Sequence, residues 1–182
     1  MVESAAFTLS QGSEEPKSKI DYSVGLCLSQ ESKDHLENCT NAVNPTLYHC
    51  VRWAPTTVHI ETKATGENWH EAQYQLSLWL IRHIAKLREL LTLAGQSDDT
   101  PIPAIPVLIV QGHNWECLFF EDQFNKARLL AGETYTVGST RSVVGVYAVI
   151  AALHYLMDWS QNEYRPWFER MILKPLLAKP QL

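Results

Sequence analysis

Hydrophobic and polar residues alternate cleanly from Ile20 to Leu28. Ile20, Tyr22, Val24, Leu26 and Leu28 point one way, while Asp21, Ser23, Gly25 and Cys27 point the other. This predicts a strand with one apolar face. Polar residues 30–41 follow as a short helix or a loop, and 42–56, with Pro45 and Pro55, read as irregular. A second strand is predicted over Thr57–Ala64, with Val58, Ile60 and Thr62 on one face and His59, Glu61 and Lys63 on the other. Helical spacing then takes over from about Asn68 to Leu93. Trp69, Ala72, Leu76, Trp79, Leu80, His83, Ile84 and Leu87 form its inner stripe, and Glu71, Gln75, Arg82, Lys86 and Glu89 its outer one. The proline-rich run 95–106 reads as a loop. Val107–Val110 and Trp115–Phe120 flank Gly112-His113-Asn114 and predict a hairpin. Residues 121–138 give no clear pattern. The stretch Arg141–Trp159 is apolar nearly all round, which predicts a buried helix. An amphipathic helix over 162–177 closes the chain, with Trp167, Phe168, Met171 and Ile172 inward. The order β, β, α, β, β and then helices implies a single-domain α/β protein with a mixed sheet flanked by helices.

The ends and the composition narrow this picture. Residues 1–18, rich in Ser, Glu and Lys, read as a flexible lead-in, which leaves 19–178 as one folded domain. No window approaches eighteen uninterrupted apolar residues, so no membrane span is expected. No basic stretch followed by an apolar one opens the chain, so the expected compartment is the cytoplasm, with the nucleus equally compatible. Cys27, Cys39, Cys50 and Cys117 fit no zinc spacing and are expected as free thiols. Fifteen basic residues face twenty acidic ones, a net charge of −5. That is the opposite of the broad positive footprint of a nucleic-acid-binding surface.

The chemistry concentrates in the first two strands. Alternation places Glu61 and Lys63 on one face, about 6.6 Å apart along the strand. Asp21 sits on the polar face of the first strand. If these strands are neighbours, Asp21, Glu61 and Lys63 converge. Two carboxylates suit a hard divalent cation such as Mg²⁺. A lysine beside them can orient a water or stabilise developing negative charge. Taken alone, these residues read better as ion pairs on a solvated strand face than as a catalytic site. His59 shares the Glu61 face and is a candidate general base or a hydrogen-bonded cleft histidine. His113 reads as turn packing, His83 and His154 as core histidines, and the four helical tryptophans as core.

These residues resemble the PD-(D/E)XK nuclease superfamily, in particular its fungal nuclease-like branch. The resemblance rests on Lys19-Ile20-Asp21-Tyr22, on His59-Ile60-Glu61-Thr62-Lys63, and on Ala72-Gln73-Tyr74-Gln75-Leu76-Ser77-Leu78-Trp79. Gly112-His113-Asn114-Trp115, Gly138-Ser139-Thr140, Gly145-Val146-Tyr147, Trp159 and Trp167-Phe168 extend it. It implies a restriction-endonuclease-like core, here with a reduced N-terminal helix. It implies that Asp21 and Glu61 are metal ligands, that Thr62 offers its backbone carbonyl, and that Lys63 assists the attack. Gln75, with Gln73 behind it, is the glutamine expected to line the site.

The acidic charge and the absence of a Lys/Arg cluster separate fold from function. The reading favoured by the sequence is a repurposed enzyme acting on a small apolar biosynthetic intermediate, by cyclisation, lactonisation or hydrolysis of a polyketide-like or acyl compound. The resemblance permits this because such fungal proteins sit among genes of secondary metabolism. Asp21, Glu61, Lys63, His59 and Gln75 would carry it, with either no cofactor or Mg²⁺. One alternative is a Mg²⁺-dependent nuclease or phosphodiesterase acting on DNA or RNA. A second is a non-catalytic binding module. The expected partner is a small molecule, and the apolar helix at 141–159 leaves room for a homodimer.

Overall fold

Two strands that run parallel, Thr56–Lys63 and Ile105–Gln111, form the spine of the molecule in a computed structural model that describes residues 20–66, 69–123, 126–129 and 134–179. The N-terminal lead-in and the reduced N-terminal helix expected before Ile20 lie outside the described residues. In chain order the strands are β1 (Tyr22–Gly25), β2 (Thr56–Lys63), β3 (Ile105–Gln111), β4 (Asn114–Gln123), β5 (Lys126–Leu129) and β6 (Tyr135–Ser139). The helices are α1 (Gln30–Cys39), α2 (Trp69–Leu93), α3 (Val143–Trp159), α4 (Arg165–Phe168) and α5 (Lys174–Leu177). The strands form one mixed sheet in the order β1-β2-β3-β4-β5, with β6 also pairing β4. Among the described strands only β2 and β3 are parallel, which is why α2, a 25-residue crossover, lies between them.

The two faces of the sheet bury different helices. On one face, Ile105, Val107, Ile109, Leu118 and Phe120 pack with Ala72, Leu76, Leu80, Leu87 and Leu90 of α2. Each fully buried leucine contributes about 2 kcal/mol of apolar burial. Trp167, Phe168 and Ile172 of the C-terminal helical run join the same core. On the other face, Val58, Leu108 and Cys117 pack with Leu156 of α3, next to Trp115, Phe119 and Leu153. Helix α2 ends where Gly95 takes a φ of 76°, and Gln96 and Gly95 donate to the carbonyls of Leu91 and Thr92. This glycine-capped pattern satisfies carbonyls that the helix leaves open.

Several expectations change on the real backbone. The first strand is shorter than its alternation suggests, because an irregularity between Val24 and Gly25 breaks the register. Val24 then packs on the α3 side, while Leu26 and Leu28 enter the α2 core. Residues 121–138 include β5 and β6, two short strands without an apolar run of their own. Residues 30–41 hold α1, capped by the Ser29 side chain, which accepts from the Ser32 N–H.

The last helices differ most. They form one helical run, Val143–Leu177, interrupted by two π-helical segments, Ser160–Tyr164 and Glu169–Leu173. Each π segment precedes a turn carrying a proline, Pro166 or Pro175. Widened turns accommodate the N–H that proline lacks and the carbonyl its ring crowds. By length and composition this run could cross a membrane. Its second half is nonetheless built into the core through Tyr164, Trp167, Phe168, Ile172 and Leu176. Its first half is exposed, not buried as expected. Only Val149 and Leu156 of α3 are fully covered, and His154 faces outward rather than into a core.

Candidate active site

Antiparallel pairing of β1 with β2 brings the sequence motifs together. Tyr22 stands opposite Ile60, so Asp21, one residue before β1, meets the Glu61–Thr62 step. Asp21 Oδ2 accepts from the Thr62 N–H at 2.9 Å and from Thr62 Oγ1 at 2.7 Å. Thr62 is therefore the clamp that fixes Asp21, a role its place between Glu61 and Lys63 did not announce.

Glu61, Lys63 and Gln75 form the other half. Lys63 Nζ lies 3.0 Å from Glu61 Oε1 and donates to Gln75 Oε1 at 2.7 Å. Gln75 reaches the site because α2 follows β2 after a short connection and runs back across the sheet. Gln73, two residues earlier, lies on a different side of α2; its backbone carbonyl accepts from Ser77 Oγ. Glu61 is 3% exposed, and its Oε2 has no hydrogen-bond partner. Burial raises its pKa above the usual carboxylate value. The Lys63 hydrogen bond opposes that rise, the Asp21 charge adds to it, and Glu71 contributes a smaller push in the same direction. Glu71 enters the site's electrostatics from the first turn of α2, one helical turn before Gln75.

His59 sits apart from this group. It is fully buried, its Nδ1 accepts from Trp79 Nε1 at 3.2 Å, and its ring lies 4.9 Å from that of His83. Its pKa is held well below 6.5, first by burial and then by His83. A neutral imidazole inside the core packs behind Trp79, which lines the cavity. His113 serves the turn, as expected: its Nδ1 pairs with Thr140 Oγ1 at 2.8 Å and ties the β3–β4 hairpin to the end of β6.

A cavity of about 660 Å³ opens beside Asp21. Ile20, Tyr22, Tyr48, Val51 and Trp79 line it, and Asp21 stands in its wall. Its size matches a small-molecule site. Tyr22 brings an aromatic ring to it from β1. Trp53 packs under Arg52, with the guanidinium 4.7 Å from its ring. Tyr48 carries no signal in the sequence, and Trp79, expected as core, also faces the cavity. Trp79 lies one helical turn beyond Gln75, which brings it to the edge of the site.

The donor set also fits a divalent cation. Glu61 Oε2 is a buried oxygen without a partner, and the Asp21 charge presses on the same carboxylate. Among the described residues no group of three or more His, Cys, Asp or Glu side chains gathers as a metal site. Two carboxylates are enough for Mg²⁺, which keeps waters and takes further ligands from substrate. Asp21, Glu61 and the Thr62 carbonyl are the groups that would hold it.

No curated protein and no solved structure matches the chain. A family profile does match, over residues 2–165, and covers both strands of the site, α2, the hairpin and all of α3. With the mixed sheet and the converging Asp21, Glu61 and Lys63 in place, the chain belongs to the PD-(D/E)XK nuclease superfamily.

Proposed function

We propose that this chain uses the PD-(D/E)XK site on a small molecule with an apolar or aromatic portion, in a reaction of the cyclisation, lactonisation or hydrolysis type. The cavity beside Asp21 carries this reading. Among the described residues its lining is largely apolar and aromatic and includes no lysine or arginine. An aryl or acyl group could pack against Trp79 and Tyr22, whereas a polyanion would meet no cation among these lining residues. The reactive end of such a molecule would meet Asp21 and, beyond it, Glu61 and Lys63. The Lys63 ammonium, held between Glu61 and Gln75, would stabilise negative charge developing on oxygen. Glu61, with its raised pKa, is suited to accepting and returning a proton.

A second reading, a Mg²⁺-dependent phosphodiesterase, is favoured by the unpartnered Glu61 Oε2 next to Asp21. One experiment separates the two. Purified protein is offered aryl and acyl esters, and separately single- and double-stranded DNA and RNA with Mg²⁺ or Mn²⁺. The first reading expects ester turnover that falls about 10²-fold or more in Lys63→Ala, with the nucleic acids intact. Nucleic-acid cleavage that vanishes in Lys63→Ala hands the site to the second reading. A thermal shift with Mg²⁺ that disappears in Glu61→Ala would place the ion at this carboxylate in either case.

A further inference from the structure

Helix α3 presents an uncovered apolar stripe. Val143, Val144, Tyr147, Ile150, Ala151, His154 and Tyr155 recur at three- and four-residue steps and are all exposed. Val144 is 80% exposed, Tyr147 69% and Tyr155 73%. The opposite side of the helix, through Val149 and Leu156, packs on the sheet. The helix cannot turn over to hide the stripe. It runs directly into the π segment at Ser160, where the Ser160 and Thr57 hydroxyls lie 2.8 Å apart, and onward into the buried aromatic cluster around Tyr164.

We infer that this stripe is the contact surface of a two-fold homodimer, in which α3 of one copy packs on α3 of the other. Three observations select a second copy of this chain as the occupant. The exposed surface of Val143, Val144, Tyr147, Ile150, Tyr155 and Met157 comes to roughly 700 Å² per chain, close to the ~800 Å² that each partner gives to a standard interface. Secondly, no charged side chain interrupts the helix from Val143 to Met157, so the stripe can face itself without like charges meeting. Thirdly, α3 carries no Lys or Arg, which helices lying on anionic membranes use on their polar face, and the chain as a whole is at −5. Two-fold symmetry sets Ala151, midway along the stripe, against its own copy.

The test uses the full chain. Light scattering and sedimentation at micromolar concentration are expected to show a dimer, and Tyr147→Glu a monomer with unchanged circular dichroism. Ala151→Cys under mild oxidation is expected to give a cross-linked dimer band that wild type, run in parallel with its own exposed Cys27 and Cys50, does not give. If Tyr147→Glu fails to fold, the Ala151→Cys band decides alone. A monomeric wild type, a dimer indifferent to Tyr147→Glu, or the absence of the Ala151→Cys band overturns the inference. Flotation of a monomeric chain with phosphatidylcholine–phosphatidylserine vesicles would overturn it in favour of a lipid surface.

Discussion

His83 and His59 stand ring to ring beneath the site, and their burial gives the protein an acid limit. Burial lowers the His83 pKa from 6.5 to about 4. A histidine whose folded pKa is depressed contributes its stability above the unfolded value and loses it as pH falls toward the folded one. Stability should therefore decline from about pH 6.5 downward. His83 alone should account for a loss on the order of 3 kcal/mol by pH 4. Urea unfolding at several pH values measures the slope, and His83→Leu should flatten it; an unchanged slope would show that these rings do not carry the effect. Glu61 has the opposite sign. Burial raises its pKa, so the charge that would hold a cation appears at higher pH than on a solvent-exposed carboxylate, and any Mg²⁺ response should fade on the acid side first. At this scale the sequence was informative about identity and weak about place. Asp21, Glu61 and Lys63 could be named because alternation fixes which face each occupies, and Gln75 because the resemblance implies a glutamine from the following helix. His59 shares that face, and alternation alone could not show that α2 covers the strand at residue 59 and leaves it more open at 63.

At the scale of elements, the junction of β6 and α3 rests on one glycine. A Cβ on Gly145 would stand 2.0 Å from the Ser139 carbonyl oxygen, where only a backbone without a side chain fits. Ser142 caps the helix there by accepting from the Gly145 N–H at 3.0 Å. Gly145→Ala should force α3 off the sheet and cost about 3 kcal/mol, read as a lower denaturation midpoint. A variant as stable as wild type would show that the junction yields. β2, α2 and the β3–β4 hairpin were legible because each carries a strong period or a turn signal. The strands β5 and β6 were not, since short strands at the side of a sheet draw their stability from β4 and need no apolar run. The two C-terminal helices read as separate because prolines normally end a helix, and the π turns that carry the chain past them have no sequence mark.

Across the whole molecule, charge and cavity point the same way. A net charge of −5, and a cavity whose described lining includes no lysine or arginine, work against the several phosphate contacts that hold a polyanion. Mobility-shift assays at about 150 mM salt without divalent ions should show no retention of DNA or RNA, with any affinity weaker than about 10⁻⁴ M. Tight, salt-dependent binding would contradict this and favour the phosphodiesterase reading. By itself the sequence determined the α/β class, the pairing-competent strands and the charged motif residues that converge between them, because hydrophobic period and residue chemistry are local properties. Only the tertiary structure decided that Thr62 clamps Asp21, that Tyr48 and Trp79 close a cavity beside it, that His59 is sealed away, and that the most apolar helix lies outside. Those outcomes depend on what each face meets across the fold. A run of apolar residues demands burial, but it does not say whether its own chain or a second copy will supply the cover.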